Sequence, residues 1–394
     1  MTDWPIKTLG EVCELVNGAT PDTKVKEYWG GEHAWITPAE MGGLDSPFIS
    51  MSRRTLSDKG LASCSATMVP PKTVILSSRA PIGHLVINEV PMATNQGCKS
   101  LIPIDGLDFI FLYYYLKANV ETLESLGTGT TFKELSGKQL KTVEIPVPPL
   151  EEQKRIVALL DAATARVTEL TACYEQARTH ANNLFTSALR DALESNPDWP
   201  VKTLGEICEL ISRGRPPSYC EVEGVVVLNQ KCVRNGKIDF GPSRRTDNNV
   251  KVIPEWSYLR EGDTLINSTG AGTLGRASFV AQLDEPTTFD THLTVVRPRR
   301  EICWPAFVGL VLNGREKDIV DLAGGATGQT ELPREAVRSF EIPVPPLEEQ
   351  KQIVARLDSM MAKTSEMVAA YDAKLTAAKN LRQSILESAF AGDL

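Results

Sequence analysis

The sequence predicts an α+β protein: two globular domains joined by two long antiparallel coiled-coil helices, built as an internal pseudo-twofold repeat. Three observations predict this. The stretch WPIKTLGEVCEL from Trp4 to Leu15 returns as WPVKTLGEICEL from Trp199 to Leu210, an offset of 195 residues. A second block, EIPVPPLEEQKRIV from Glu144 to Val157, returns as EIPVPPLEEQKQIV from Glu341 to Val354, an offset of 197 residues in a chain of 394. Each copy of the second block opens a run free of proline and glycine, with apolar residues in alternating steps of three and four. Two units are too few for a solenoid, and each is large enough to bury its own core. The expected division is residues 1–149 and 195–346 as globular domains, with 150–194 and 347–394 as helices.

The globular parts are rich in glycine and proline and carry short apolar runs. Thr73 to Leu76, Gly224 to Leu228, Asp263 to Ile266 and Leu293 to Val296 read as strands of a mixed, largely antiparallel sheet. Phe109 to Lys117 and Trp304 to Leu312 read as one helix per unit. The consecutive prolines of the PVPP segment forbid helix and force an extended approach to the long helix that follows. Paired glutamates in its first turn, Glu151–Glu152 and Glu348–Glu349, suit the positive end of the dipole. The first helix presents a seam of Ile156, Leu160, Val167, Leu170, Tyr174 and Leu184, with alanines between them. The second presents Val354, Leu357, Met361, Val368, Tyr371, Leu375 and Ile385, interrupted by Thr364 and Arg382. Helices of about 43 residues span roughly 65 Å and need a partner, and each is the nearest partner for the other.

Composition narrows the function. With 42% hydrophobic and 23% charged residues the chain is an ordinary globular protein. Lys+Arg of 42 against Asp+Glu of 50 gives a net charge of −8, which excludes a protein that coats nucleic acid by bulk charge. No run of about 18 apolar residues and no signal-like N-terminus occur, so a cytoplasmic location is expected. The eight cysteines are dispersed without a C-x-x-C pair, and the four histidines do not correspond between copies, so neither a metal site nor a catalytic triad is expected. Gly270 to Gly275 matches G-x-G-x-x-G, but no dinucleotide-binding helix is expected after it, and the first copy lacks the pattern. It reads as a tight loop. Asn196 to Trp199 only superficially matches a methyltransferase signature and reads as a helix stop. No cofactor is expected.

Arginine is the exception to this blandness. Residues 199–341 hold 18 Lys+Arg, of which 13 are Arg, the side chain suited to forking onto phosphates and guanine edges. Polar loops recur at corresponding places in both copies. In the first they offer Thr20, Thr37, Arg53, Arg54, Ser78, Arg79, Asn95 and Gln96. In the second they offer Arg213, Arg215, Asn229, Gln230, Lys231, Arg244, Arg245, Ser268, Thr269, Arg276, Thr291 and His292. These residue types bond phosphates and base edges, making them candidate DNA contacts. The island SRRT at Ser52 and again at Ser243 aligns Arg53 with Arg244.

The ordered combination of the WPxKTLGE start, a TGxT stretch (Thr128 to Thr131, Thr327 to Thr330), the IPVPPLEEQ block and a long helix, written twice, resembles the specificity subunit of type I restriction-modification systems. The resemblance covers nearly the whole chain. It implies two target recognition domains, each reading one half of a bipartite double-stranded DNA target. It implies helices that set the spacing, and a non-catalytic chain that docks two modification (methyltransferase) subunits and ATP-dependent restriction subunits. A related type II system using the same module, and a standalone methyltransferase or nuclease, are the alternative readings.

Overall fold

The computed structural model describes residues 4–44, 46–129, 133–221, 223–234, 236–323 and 331–392. The chain folds as two compact units. The first comprises residues 1–174 and 373–394, and the second residues 175–372.

In the first unit the two repeated blocks meet. The strand Ile6–Thr8 runs antiparallel to Glu144–Pro146, with Lys7 opposite Ile145. The chain then turns through a short helix whose Thr8 N–H and hydroxyl both donate to Glu11 at 2.7 Å, a capping box that satisfies the exposed helix start. A five-stranded sheet follows in the order Cys13–Asn17, Cys98–Pro103, Val74–Ser78, Ile82–Asn88, Phe48–Ile49, beside a three-stranded sheet of Arg54–Leu56, Trp29–Ile36 and Met92–Thr94. The helix Phe109–Ala118 buries Phe111, Leu112 and Leu116 against the larger sheet. Two segments of the long helices complete this core, with Ile156 and Leu160 from one and Leu386 and Ala389 from the other.

The second unit repeats the plan. Val201–Thr203 pairs with Glu341–Pro343, and Thr203 caps onto Glu206. A six-stranded sheet runs Cys208–Arg213, Leu293–Pro298, Thr264–Asn267, Ala277–Phe279, Gly236–Ile238, Val233–Arg234. A four-stranded sheet holds Tyr219–Cys220, Arg244–Thr246, Val225–Leu228 and Thr287–Phe289. The helix Pro305–Gly314 packs on the larger sheet, and Leu189, Ala192, Val354 and Leu357 from the long helices close the core. Gly275 leads into the strand Ala277–Phe279, so the G-x-G-x-x-G match is a turn with no helix behind it.

The long helices span Leu150–Glu194 and Leu347–Ala391, 45 residues each. Within each unit their segments pack antiparallel. Lys374 lies 5.3 Å over the Tyr174 ring in the first, and Arg178 bonds Asp372 at 2.9 Å in the second. Ile156, Leu160, Val167, Val354 and Leu357 are buried, while Tyr174, Met361, Val368, Tyr371, Leu375 and Ile385 are half-buried. Leu170 and Leu184 differ from expectation. Both face solvent, and the half-buried places next to them belong to Thr171 and Phe185. A straight helix of 3.6 residues per turn carries its buried stripe forward by about 20° per heptad, so a strict 3.5-residue seam slips toward the following residue. No helix among the described residues is long and apolar enough to cross a membrane.

The same repeated glutamine anchors each long helix. Gln153 accepts from the Asp108 N–H at 2.8 Å and donates to the carbonyls of Gly106 and Pro148, both at 2.8 Å. Gln350 accepts from the Trp304 N–H at 2.7 Å and donates to the carbonyls of Ile302 and Pro345. Both are fully buried.

Arg382, which interrupts the second seam, lies half-buried near Lys117 and Tyr113. Burial, and then Arg382, depress the Lys117 ammonium from its ordinary 10.5 to about 8, while its Nζ donates to the Tyr113 hydroxyl at 2.8 Å. Between about pH 8 and 10 the unfolded chain holds the proton that folded Lys117 has released, so the contribution of this group to stability rises with pH across that window. Buried groups oppose it: burial raises the thiols of Cys13, Cys98, Cys208, Cys232 and Cys303, whose contribution falls with pH from about 9, and Tyr113, Tyr114 and Tyr115, whose contribution falls above about 10. Lys117→Met is expected to make melting temperature fall more steeply between pH 8 and 10 than in wild type and to melt higher than wild type at pH 7. A slope unchanged by the substitution assigns the compensation to another group.

Candidate DNA-reading surfaces

In the first unit the loops at one end of the sheets converge. Gly18 follows the strand Cys13–Asn17 and crosses the loop after Thr94 so closely that a Cβ there would lie 1.9 Å from the Asn95 carbonyl oxygen. The crossing brings Thr20 to Gln96, its hydroxyl donating to Oε1. Asn95 is held from both sides, its N–H donating to Ile36 at 3.0 Å and its Oδ1 accepting from the Gly97 N–H at 3.0 Å. A Cβ on Gly97 would lie 3.1 Å from Pro38 and 3.3 Å from Arg79 Nε. Thr37 caps the helix Pro38–Met41 through Glu40, whose other oxygen accepts from the Arg53 N–H at 2.7 Å. Thr20, Thr37, Arg53, Arg79, Asn95 and Gln96 therefore form one connected surface. Ser78 does not reach it, being fully buried with an unpartnered hydroxyl.

The second unit makes the same crossing, where a Cβ on Gly214 would lie 2.0 Å from the Asp290 carbonyl oxygen. Around it opens a cleft of about 790 Å³ lined by Arg213, Thr269, Gly270 to Gly272, Thr291, His292, Glu316 and Glu331. Arg213 Nε donates to the Thr291 carbonyl at 2.6 Å, and its guanidinium pairs with Glu331. Thr269 Oγ1 lies 2.6 Å from His292 Nδ1. Asp290 accepts from the His292 N–H at 2.9 Å, and burial raises its carboxyl above the usual range. Arg276 folds back onto the Gly272 carbonyl at 2.8 Å. Arg215 and Lys231 are exposed.

Other candidates are committed to the scaffold. Asn229 caps a turn and donates to Pro242, and Gln230 lies against Gly270 with its Oε1 buried. Ser268 is buried, 2.5 Å from Thr294 Oγ1. Arg245 forks onto Glu285 at 2.8 and 2.9 Å and also donates to the Gly224 carbonyl.

The SRRT islands align one residue out of step with the fold. Arg54 pairs with Trp35, which runs parallel to Ala93, and Arg244 pairs with Val227, which runs parallel to Thr288. Arg54 and Arg244 are thus the equivalent residues, and Arg53 has moved into the preceding loop. Each equivalent guanidinium lies 3.5 Å over an aromatic ring, Trp29 or Tyr219, and those rings oppose Leu56 and Thr246 at matching registers. Sequence reasoning missed these aromatics because Trp29 and Tyr219 lie far outside the matched islands. The stretch Thr327 to Thr330 and the end of Thr128 to Thr131 lie outside the described residues.

The family model of the type I restriction modification DNA specificity domain matches residues 1–177 and again 196–377. The type I restriction enzyme MjaIX specificity subunit of Methanocaldococcus jannaschii is 35% identical over 232 residues, which is 55% of this chain and 54% of that subunit. The aligned part thus spans about half the length of that relative. The EcoBI specificity subunit of Escherichia coli is 24% identical over 359 residues, 83% of this chain and 74% of that subunit. A chain solved in work on complex assembly and conformational transition of the type I R-M system shares the fold, with a TM-score of 0.80 at 23% identity over 99% of this chain and 98% of that one. The HsdS subunit from Thermoanaerobacter tengcongensis gives a TM-score of 0.60 at 24% identity, covering 100% of this chain and 98% of that one. With the specificity domain matched in both halves, the chain belongs to the type I restriction-modification DNA specificity family.

Proposed function

We propose that the chain is the sequence-reading subunit of a type I restriction-modification complex. Residues 1–149 and 195–346 each read one half of a bipartite duplex target. The helices, residues 150–194 and 347–394, set the spacing between the halves and dock two methyltransferase subunits, with ATP-dependent restriction subunits joining for cleavage. The chain itself performs no covalent step, and the partners methylate and cut.

The observation that carries this reading is the pairing of one scaffold with two chemistries. The same loop crossing, at Gly18 and Gly214, presents Thr20, Asn95 and Gln96 in one unit and Arg213, Thr291 and His292 in the other. Equivalent loops with different donors and acceptors are what two different half-sites demand, since base edges are discriminated by their donor and acceptor patterns. The net charge of −8 fits a reader whose phosphate contacts are supplemented by partner subunits.

The test is a sequencing map of methylated adenines in cells with and without the gene. Exchanging residues 1–149 for those of a relative is expected to change one half-site and leave the other. Inserting one heptad into both helices is expected to change the gap between unaltered half-sites. A purified chain that methylates or cuts DNA alone would overturn the reading, and an unchanged gap would remove the spacing role.

A further inference from the structure

A repeated glutamate stands beside each candidate reading surface. Glu134 and Glu331 each lie ten residues before the EIPVPP block, an offset of 197. The fold fixes both in the same way, because the N–H of the next residue, Leu135 or Leu332, donates to the carbonyl of Ser78 or Ser268 at 2.9 Å. Each carboxylate meets an arginine. Glu134 lies 3.9 Å from Arg79, and Glu331 pairs with Arg213. Arg79 lies beside Gly97, and Arg213 lines the cleft with Thr291 and His292.

The two arginines are not counterparts. Asn17 and Leu76 both stand opposite Lys99, while Arg213 and Ile266 both stand opposite Thr294. Arg213 is therefore the counterpart of Asn17, and Thr269 that of Arg79. The arginine follows the strand Val74–Ser78 in the first unit and ends the strand Cys208–Arg213 in the second. The carboxylate is constant, and the strand that brings it a guanidinium changes. Stability gives no reason for this, since the side chains are 36% and 46% exposed in one pair and 30% and 55% in the other. An ion pair so open to water adds little to a fold.

Sequence reading does give a reason. An unpaired arginine is drawn to any phosphate and raises affinity for all DNA alike. A carboxylate beside it cancels that attraction, repels the backbone of a duplex that fails to fit, and steadies the planar fork, which keeps donors to spare for a base edge. Arg213 is held a second time, its Nε donating to the Thr291 carbonyl at 2.6 Å. We propose that Glu134 and Glu331 are positioning residues for sequence reading, each holding one arginine, Arg79 or Arg213, toward the acceptor edge of a guanine and away from phosphates. The proposal rests on the DNA-reading function proposed above.

The experiment uses the full chain assembled with its methyltransferase subunits, titrated at several salt concentrations into labelled duplexes. These carry the mapped target, the target with one half-site scrambled at a time, or a fully scrambled sequence. Glu134→Gln and Glu331→Gln keep the shape of the side chain and remove its charge. Each is expected to melt as wild type does and to bind fully scrambled duplex about 3-fold to 10-fold more tightly, with a salt slope steeper by about 0.9. Preference for the half-site read by its own unit is expected to fall about 10-fold, and preference for the other half-site to stay. On an Arg79→Gln or Arg213→Gln background the corresponding glutamate change is expected to alter scrambled-duplex binding less than about twofold, because no guanidinium is left to release. The arginine variants by themselves are expected to lose the same half-site preference, which covers the case in which a glutamine variant folds poorly. A variant of either kind that keeps wild-type preference would overturn the role of that pair, as would an equal loss of affinity for target and scrambled duplex. Wild-type complex with no preference for the target over scrambled duplex would instead overturn the DNA-reading function.

Discussion

Replacing Asp263 by alanine is expected to destabilise the second unit by about 3–5 kcal/mol, because it strands a buried guanidinium. The Asp263 and Arg297 side chains are 1% and 8% exposed, and the fork between them is bidentate, at 2.7 and 2.8 Å. Arg297 donates further to the Tyr258 carbonyl at 2.9 Å, and Asp263 accepts from the Arg260 N–H at 2.8 Å. Losing the carboxylate leaves a desolvated cation and an unpaired N–H, and the short side chain leaves a void. The first unit shows that the rung tolerates an uncharged solution. Thr73 and Ile102 stand where Asp263 and Arg297 stand, as the pairings of Val74 with Leu101 and of Thr264 with Val296 establish. Asp263→Thr combined with Arg297→Ile is therefore expected to recover most of the loss. Urea unfolding, with hydrogen exchange resolved on the two units, measures both. A loss below about 1 kcal/mol for Asp263→Ala would mean that water reaches the pair.

Gln153→Met is expected to cost about 2–4 kcal/mol, since the thioether replaces none of three hydrogen bonds and leaves the Asp108 N–H and two carbonyls without the partner they now have. The effect should appear in the melting of the first unit, where Gln153 joins the loop before the helix Phe109–Ala118 to the start of the long helix. Gln350→Met is expected to do the same in the second unit through Trp304, Ile302 and Pro345. The two sites share no bonding partner, so the double variant should lose close to the sum. Melting within about 1 kcal/mol of wild type would show that water substitutes for the amide.

These two predictions differ in how legible their residues were. Gln153 and Gln350 stand in the repeated IPVPPLEEQ block, so the sequence marks them, yet apart from the Pro148 and Pro345 carbonyls their partners are 45 to 48 residues upstream and no local pattern names them. Asp263 carries no mark, because its importance comes from burial beside Arg297, 34 positions away. The candidate polar loops stood out in the sequence as a set, because glycine, threonine, asparagine and arginine recurred at corresponding places. Which members face outward was not legible. Ser78 and Ser268 continue strands past their last apolar residue and turn inward, while Arg245 is consumed by Glu285.

The sequence by itself determined the duplication, the two helices Leu150–Glu194 and Leu347–Ala391, and the family. Those follow from identity between copies, from proline and glycine as helix limits, and from apolar residues in alternating steps of three and four, all of which are local properties. Only the tertiary structure decided that the WPxKTLGE and EIPVPP blocks pair with each other in each unit. It also decided that Arg54 matches Arg244 and that Thr171 and Phe185 take the seam in place of Leu170 and Leu184. Strand register and helix rotation are set by contacts between residues far apart in the chain. A shift of one residue changes which side chain is buried without changing the pattern by which the element is recognised.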